Sequence, residues 1–263
     1  MTIYDIAKMA GVSASTVSRV INEKPGIEES TREKVKQLLR EYNYTPDENA
    51  RGLVNRNTRL IGILVVDIRS AHHTDLAFVV ENYLRERGYC AIIINAGPSE
   101  DQMAEGLKLL EQRRVDGALL VGSMFQNEQV KQGIFEHLRE VPVVLANGYL
   151  DLPNVYGVLV DECDGVKRCV ELLRKKGKEK LAYIGTMDSP SSMAKLKGYQ
   201  EKMKEFGYDS SDLIIEEADA DRESGYEATV RLLRKHGEVE GIIYSEDVIA
   251  AGAVRAFWDL GYK

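Results

Sequence analysis

From Leu60 onward, short apolar runs alternate with amphipathic stretches, and this alternation constrains the fold more than any other feature of the chain. The runs are LIGILVV, CAIII, GALLV, VPVVLA, YGVLV, LAYIG, LIIEE and GIIYS. Between them, helical spacing of apolar residues runs from Leu76 to Arg87, Met103 to Arg113, Gly165 to Lys175, Met193 to Phe206 and Arg222 to Arg234, with a last helix ending near Leu260. Apolar runs this short read as strands buried on both faces, as in a parallel sheet with helices on either side. Right-handed crossovers wind such strands into doubly wound parallel sheets that take ligands at the strand C-termini. About 200 residues of this pattern suffice for two lobes. The expected fold class is α/β, with a body over residues 59–263. An alternating fold ordinarily follows a helix with another strand, so an end at Gly261-Tyr262-Lys263 raises the expectation of a body incomplete at its C-terminus.

The first 46 residues obey a different rule. Ile3, Ile6, Ala7 and Ala10, then Val17, Val20 and Ile21, then Val35, Leu38 and Leu39 recur at helical spacing, which predicts three short helices. Thr2 with Asp5 three residues on reads as a capping box, Ser13 as the cap of the second helix, and Pro25-Gly26 as a break before the third. Residues 47–58 are polar apart from Leu53 and Val54 and read as a linker or a conditional helix.

Charge separates the same two regions. The net charge of -7 argues against nucleic acid as a partner, yet residues 1–59 hold ten Lys or Arg against eight Asp or Glu, so the acidity resides in the body. The longest apolar run falls well short of the roughly 18 residues of a membrane span, and MTIYDIAKMAG lacks the form of an export signal. No membrane partner is expected, and the expected location is the cytoplasm. Cys90, Cys163 and Cys169 are odd in number and lack zinc spacing, so reduced thiols are expected and no metal. Nucleophile elbows, phosphate loops and dinucleotide glycine motifs are missing from the sequence, so no enzyme and no cofactor is expected.

AGVSASTVSRVIN meets the requirements of a helix-turn-helix: small apolar Ala10, Gly11 for a left-handed turn, and Val12 to fill the angle between helices. With Val17, Val20 and Ile21 turned inward, Ser13, Ser15, Thr16, Ser18, Arg19 and Asn22 face outward. Small polar side chains let a helix approach a major groove, and Arg19 can donate a bidentate pair to guanine. The competing reading is a solvated face on a three-helix bundle.

The stretch from TIYDIAKMAGVSASTVSRVIN to the hinge resembles the head of the LacI/GalR family of bacterial regulators. The likeness continues through LIGILVVDI, LLEQRRVDGALLVGS, VLVDECDG, KGYQEKMKEFG and EDVIAAGAVRAFWDLG. The resemblance implies that Ala14, Ser15 and Arg19 face bases, while Tyr4, Ser13, Thr16, Ser18 and Asn22 hold phosphates or shape the recognition helix. It also implies a hinge helix with Asn49, Ala50 and Leu53 in the minor groove. An isolated helix of about 12 residues is marginal in water, so this one would fold on DNA, with Leu53 as a wedge between base pairs.

For the body, the resemblance implies a two-lobed, periplasmic-binding-protein-like (type I) architecture with a small-molecule effector between the lobes. The candidate cleft residues are His72, His73, Ser123, Phe125, Asn147, Lys195, Glu246 and Asp247. The pattern departs from the family in three places. The aromatic loop after the first strand reads Asp67 to Thr74 without an aromatic, Lys195 stands where an arginine is common, and Glu246 stands where an asparagine is usual. A sugar leads the effector readings, with a cation, an amino sugar or a purine open. The expected function is therefore a transcription regulator, acting as a repressor, homodimeric, on a near-palindromic duplex operator. The alternative is a DNA-anchored protein whose body binds a partner protein.

Overall fold

The computed structural model describes residues 1–44 and 57–262, which fall into two compact units divided after Thr58. The expected hinge residues Asn49, Ala50 and Leu53 lie outside the described residues.

The head consists of α1 (Ile3–Ala10), α2 (Ala14–Ile21) and α3 (Glu29–Glu41). Thr2 and Asp5 form the predicted capping box: Asp5 N–H donates to Thr2 Oγ1 at 3.3 Å, and Thr2 N–H donates to Asp5 Oδ2 at 2.7 Å. Gly11 ends α1 at φ 74°, a left-handed value that glycine adopts without a steric cost and that turns the chain sharply into α2. Ile6, Ala7, Ala10, Val17, Val20 and Val35 close a small core, against which Val12, Leu38 and Leu39 pack.

The body holds two parallel sheets. The first lobe is built from β1 (Leu60–Val65), α4 (Ala71–Glu86), β2 (Cys90–Asn95), α5 (Glu100–Arg113), β3 (Gly117–Val121), α6 (Glu128–His137), β4 (Val143–Ala146) and β5 (Val155–Val158). Its strands are ordered β2-β1-β3-β4-β5. Alternation along β1 sends Leu64 into a large core with Leu107, Leu110 and Ile134 of α5 and α6, and sends Ile63 and Val65 to the opposite face against Ala77 of α4. Helix α6 falls in a stretch for which the sequence pattern predicts no helix. Its middle residue is Gly133, where a side chain would stand 2.8 Å from Leu107 Cδ1, so close approach to α5 requires a residue that weakens the helical pattern.

The second lobe follows with α7 (Glu162–Lys175), β6 (Leu181–Gly185), α8 (Pro190–Glu205), β7 (Ile214–Glu217), α9 (Arg222–Lys235), β8 (Gly241–Tyr244) and α10 (Asp247–Asp259). Its three strands run β7-β6-β8. Strand β6 is buried along its whole length: Leu181 and Tyr183 pack against α7 and α8, while Ala182 and Ile184 pack against α9 and α10. Both lobes are thus doubly wound, and the strand C-termini carry the polar loops from which the candidate site is built. Among the described residues, no helix is long and apolar enough to cross a membrane.

Candidate functional sites

In the head, α2 is set up from its first turn. Ser13 Oγ accepts the Thr16 N–H at 3.1 Å and shares hydrogen bonds with Ser15 Oγ at 2.7 Å and Thr16 Oγ1 at 2.9 Å. Three hydroxyls therefore stand together at the helix N-terminus, where backbone N–H groups and the helix dipole favour a phosphate. Ser13, Ser15, Arg19 and Tyr4 are exposed, and Thr16 and Ser18 are half-buried. Ala14 is half-buried against the head's core, which leaves part of its methyl group facing outward. Asn22 donates to the Ser18 carbonyl at 2.7 Å, so its side chain folds back over the end of α2.

The Arg19 guanidinium does not hang free: one Nη2–H donates to the Pro25 carbonyl at 2.7 Å. A guanidinium carries five donors, so this bond orients it and leaves others for a base. Arg32 makes a similar contact with the Lys24 carbonyl at 3.0 Å. The loop that the sequence reads only as a helix breaker therefore also holds the arginine expected to read a base.

In the body, loops from both lobes meet at the carboxylate of Glu162, the first residue of α7. Its Oε1 accepts from Ser191 Oγ at 2.6 Å and from Asn147 Nδ2 at 3.2 Å, and it lies 3.7 Å from Lys195 Nζ. Lys195 donates to Glu246 Oε1 at 2.7 Å and to the Ser245 carbonyl at 3.1 Å. A second tie between the lobes runs from the Ser191 N–H to Ser123 Oγ at 3.1 Å. Five segments thus form one network: the ends of β3, β4 and β8 and the starts of α7 and α8. Asn147 reaches it from a left-handed backbone, φ 67°, which asparagine tolerates better than most residues.

Of the residues expected from sequence, the structure brings Ser123, Asn147, Lys195 and Glu246 together. Asp247 is exposed at the start of α10 beside Glu246. His72 is exposed, whereas His73 bonds through Nδ1 to the Asp67 carbonyl at 2.9 Å. His73 also lines a shallow, mostly apolar cavity of about 210 Å³ with Val65, Ile68, Ala77, Phe78 and Ile93, on the α4 side of the first sheet. Phe125 requires a correction: it is fully buried in the first lobe's core and does not line the cleft. The short 3-10 turn Ser123–Phe125 points Ser123 toward α8 and the phenyl ring inward. Glu162 is a site residue that the sequence does not single out: of Asp161, Glu162 and Asp164, Asp161 caps α7 by accepting the Asp164 N–H at 2.9 Å, while Glu162 turns into the cleft. Three carboxylates in four residues conceal which one turns into the cleft.

Comparison with known proteins bears on both units. Residues 2–47 match the family model described as bacterial regulatory proteins, lacI family, and residues 58–262 match that of periplasmic binding proteins and sugar binding domain of LacI family. The chain is 31% identical over 263 residues to an HTH-type transcriptional regulator of Lachnoclostridium phytofermentans, covering 99% of this chain and 79% of that protein. It is 31% identical to catabolite control protein A of Priestia megaterium, covering 99% of this chain and 78% of the relative. The lac repressor dimer bound to operator and the anti-inducer ONPF shares the fold, with a TM-score of 0.89 at 23% identity over 100% of this chain and 79% of the other. A transcriptional regulator CelR-cellobiose complex matches with a TM-score of 0.66 at 26% identity, again over 100% and 79%.

Proposed function

Because the chain belongs to the lacI family of DNA-binding bacterial regulators, we propose that it is a repressor, that it acts as a homodimer in the cytoplasm on a near-palindromic duplex operator, and that a small metabolite bound between its lobes controls its grip. The observation that carries the DNA-binding part is the outer face of α2, where the Ser13, Ser15 and Thr16 hydroxyls and the Pro25-held Arg19 stand clear of a closed core. In this reading Ser15 and Arg19 read base edges, with Ala14 offering its methyl group to a thymine. Tyr4, Ser13, Thr16, Ser18 and Asn22 fix the helix on the phosphates or set its shape. Asn49, Ala50 and Leu53 enter the minor groove when the hinge folds on DNA.

The homodimer reading draws on apolar side chains that neither lobe covers. On the outer face of α4, Phe78 and Tyr83 are 68% and 58% exposed, and on α10 Val254 and Trp258 are 69% and 80% exposed. Large apolar groups grouped in this way mark association surfaces. A two-fold dimer presents two heads to two half-sites about one helical turn apart, hence the palindrome. The metabolite reading draws on the polar network that crosses between lobes at the strand C-termini, a place where α/β folds bind ligands.

Selection from a random duplex library at several salt concentrations tests the proposal. A palindromic motif that survives moderate salt is the expected result. Binding without a motif, collapsing as salt rises, is electrostatic only and overturns it.

A further inference from the structure

The inter-lobe network is unbalanced in charge. Lys195 is its one ammonium among the described residues. Around it stand Glu162, Glu246 and, through Ser192 and Thr186, Asp188, whose Oδ1 accepts from Ser192 Oγ at 3.3 Å. Glu162 and Lys195 are 15% and 17% exposed, so bulk water screens little of the excess. The second carboxylate oxygen of Glu162 and of Glu246 accepts no hydrogen bond among the described residues, and Glu246 makes no side-chain cap on α10.

An independent observation comes from beneath the network. Tyr183 on β6 is fully buried, and its hydroxyl has no partner of hydrogen-bond geometry among the described residues. Its ring edge is on the network side of the lobe: a point above Gly185 lies 3.0 Å from Tyr183 Cε1 and 2.5 Å from Ser245 Oγ, and the carbonyl of Ser245 holds Lys195. Burial pushes the Tyr183 phenol up to about 12, against the pull of Ser245, and the charges of Glu246 and Glu162 add to the rise. The phenol is therefore neutral at physiological pH. A buried hydroxyl without a well-formed partner costs stability, and the field of Glu246 and Glu162 reaches this one.

We infer that the effector carries a protonated amine, which is received by the free oxygens of Glu162 and Glu246, two carboxylates that already converge on one ammonium, that of Lys195. This inference rests on the metabolite reading of the cleft. An ammonium has three donors and no acceptor, which suits the two unspent carboxylate oxygens, and its charge offsets the carboxylate excess. An anion would add to that excess, and a neutral sugar would leave it uncompensated. Lys195 donates to Glu246 and the Ser245 carbonyl and lies 3.7 Å from Glu162, so two carboxylates already meet its charge, unlike that of a lone lysine in a cleft.

The test is a thermal-shift and calorimetric comparison of matched compounds on the full chain: glucosamine, glucose, N-acetylglucosamine, galactosamine, galactose, glucose 6-phosphate, ribose, adenine, putrescine and lysine. The expected result is that an amine binds at least tenfold more tightly than its neutral or acetylated counterpart. Glu246→Gln, at a half-exposed position that caps nothing, is expected to remove at least tenfold of that preference, and Glu162→Gln to do the same. A neutral or phosphorylated compound that binds as tightly as any amine overturns the ammonium inference and leaves the metabolite reading standing. A chain that responds to none of these classes at millimolar concentration overturns both.

Discussion

In the head, every outward side chain of α2 comes from ten consecutive residues, Ser13 to Asn22, backed by a core of six small apolar residues. In the body, Ser123, Asn147, Glu162, Ser191, Lys195 and Glu246 reach one network from five separate segments, each at the end of an element anchored in a sheet. The difference teaches where each surface is vulnerable. The head's face is locally encoded and rests on few contacts, so one lost core group unmakes it. The cleft is assembled over long range on two large cores, so single changes alter its chemistry before its fold.

The largest expected effect is at Ile6, which is fully buried at the centre of the head. Ile6→Ala costs about 2–5 kcal/mol, comparable to the whole stability of so small a unit, Met1–Thr58. The head should melt at physiological temperature and operator binding should vanish, while the melting transition of the body stays in place. A single shared transition in this variant, shifted as a whole, breaks the contrast between the two regions.

The next effect belongs to the cleft. Lys195→Met leaves Glu162 and Glu246 without their common cation, at a cost of about 2–3 kcal/mol, below that of a deeply buried pair because Glu246 is partly solvated. Denaturant unfolding should show the body's midpoint lowered with an unchanged slope, and the head untouched. Arg19→Ala ranks third and leaves stability alone. Binding to the selected operator should weaken by roughly 1–3 kcal/mol, with discrimination relaxed at one base position per half-site. An unchanged preferred sequence removes Arg19 from readout and reduces its Pro25 contact to a loop brace.

The same division explains what the sequence discloses. Strands GALLV and LAYIG are read to the residue because a β-branched or aliphatic run buried on both faces has little alternative. The turn at Gly11 and the caps at Thr2 and Ser13 are equally legible, since each depends on residues within three positions. Helix α6 escapes because Gly133 serves a contact with Leu107, which no local pattern encodes. In the cleft, Ser123 can be named from its place after a strand and Lys195 from the family resemblance, but Phe125 cannot be told from a ligand-facing aromatic until the 3-10 turn fixes which way it points. Glu162 and the orphaned Tyr183 hydroxyl are visible only when β6, α7 and α8 are brought together.

The smallest effect is in acid, where the two regions should behave alike. In the head, the hydrogen bonds from the Thr2 backbone and hydroxyl hold Asp5 below its usual 3.8. In the body, the side-chain and backbone donors of Arg69 hold Asp67 down at about 2. Both carboxylates have depressed values in the folded state, so the stability each contributes is complete above the unfolded value near 4 and is lost as pH falls through the folded one. Asp5 is exposed and Asp67 half-exposed, so each contribution is modest and should fade with added salt. Carboxyl titration followed by NMR should place Asp67 near pH 2 and Asp5 below its usual value. Thr2→Ala removes the hydroxyl half of the capping box and should raise Asp5 toward 3.8 without moving Asp67. If Asp67 moves too, the head and the body are electrostatically coupled, and the separation on which the larger predictions depend does not hold.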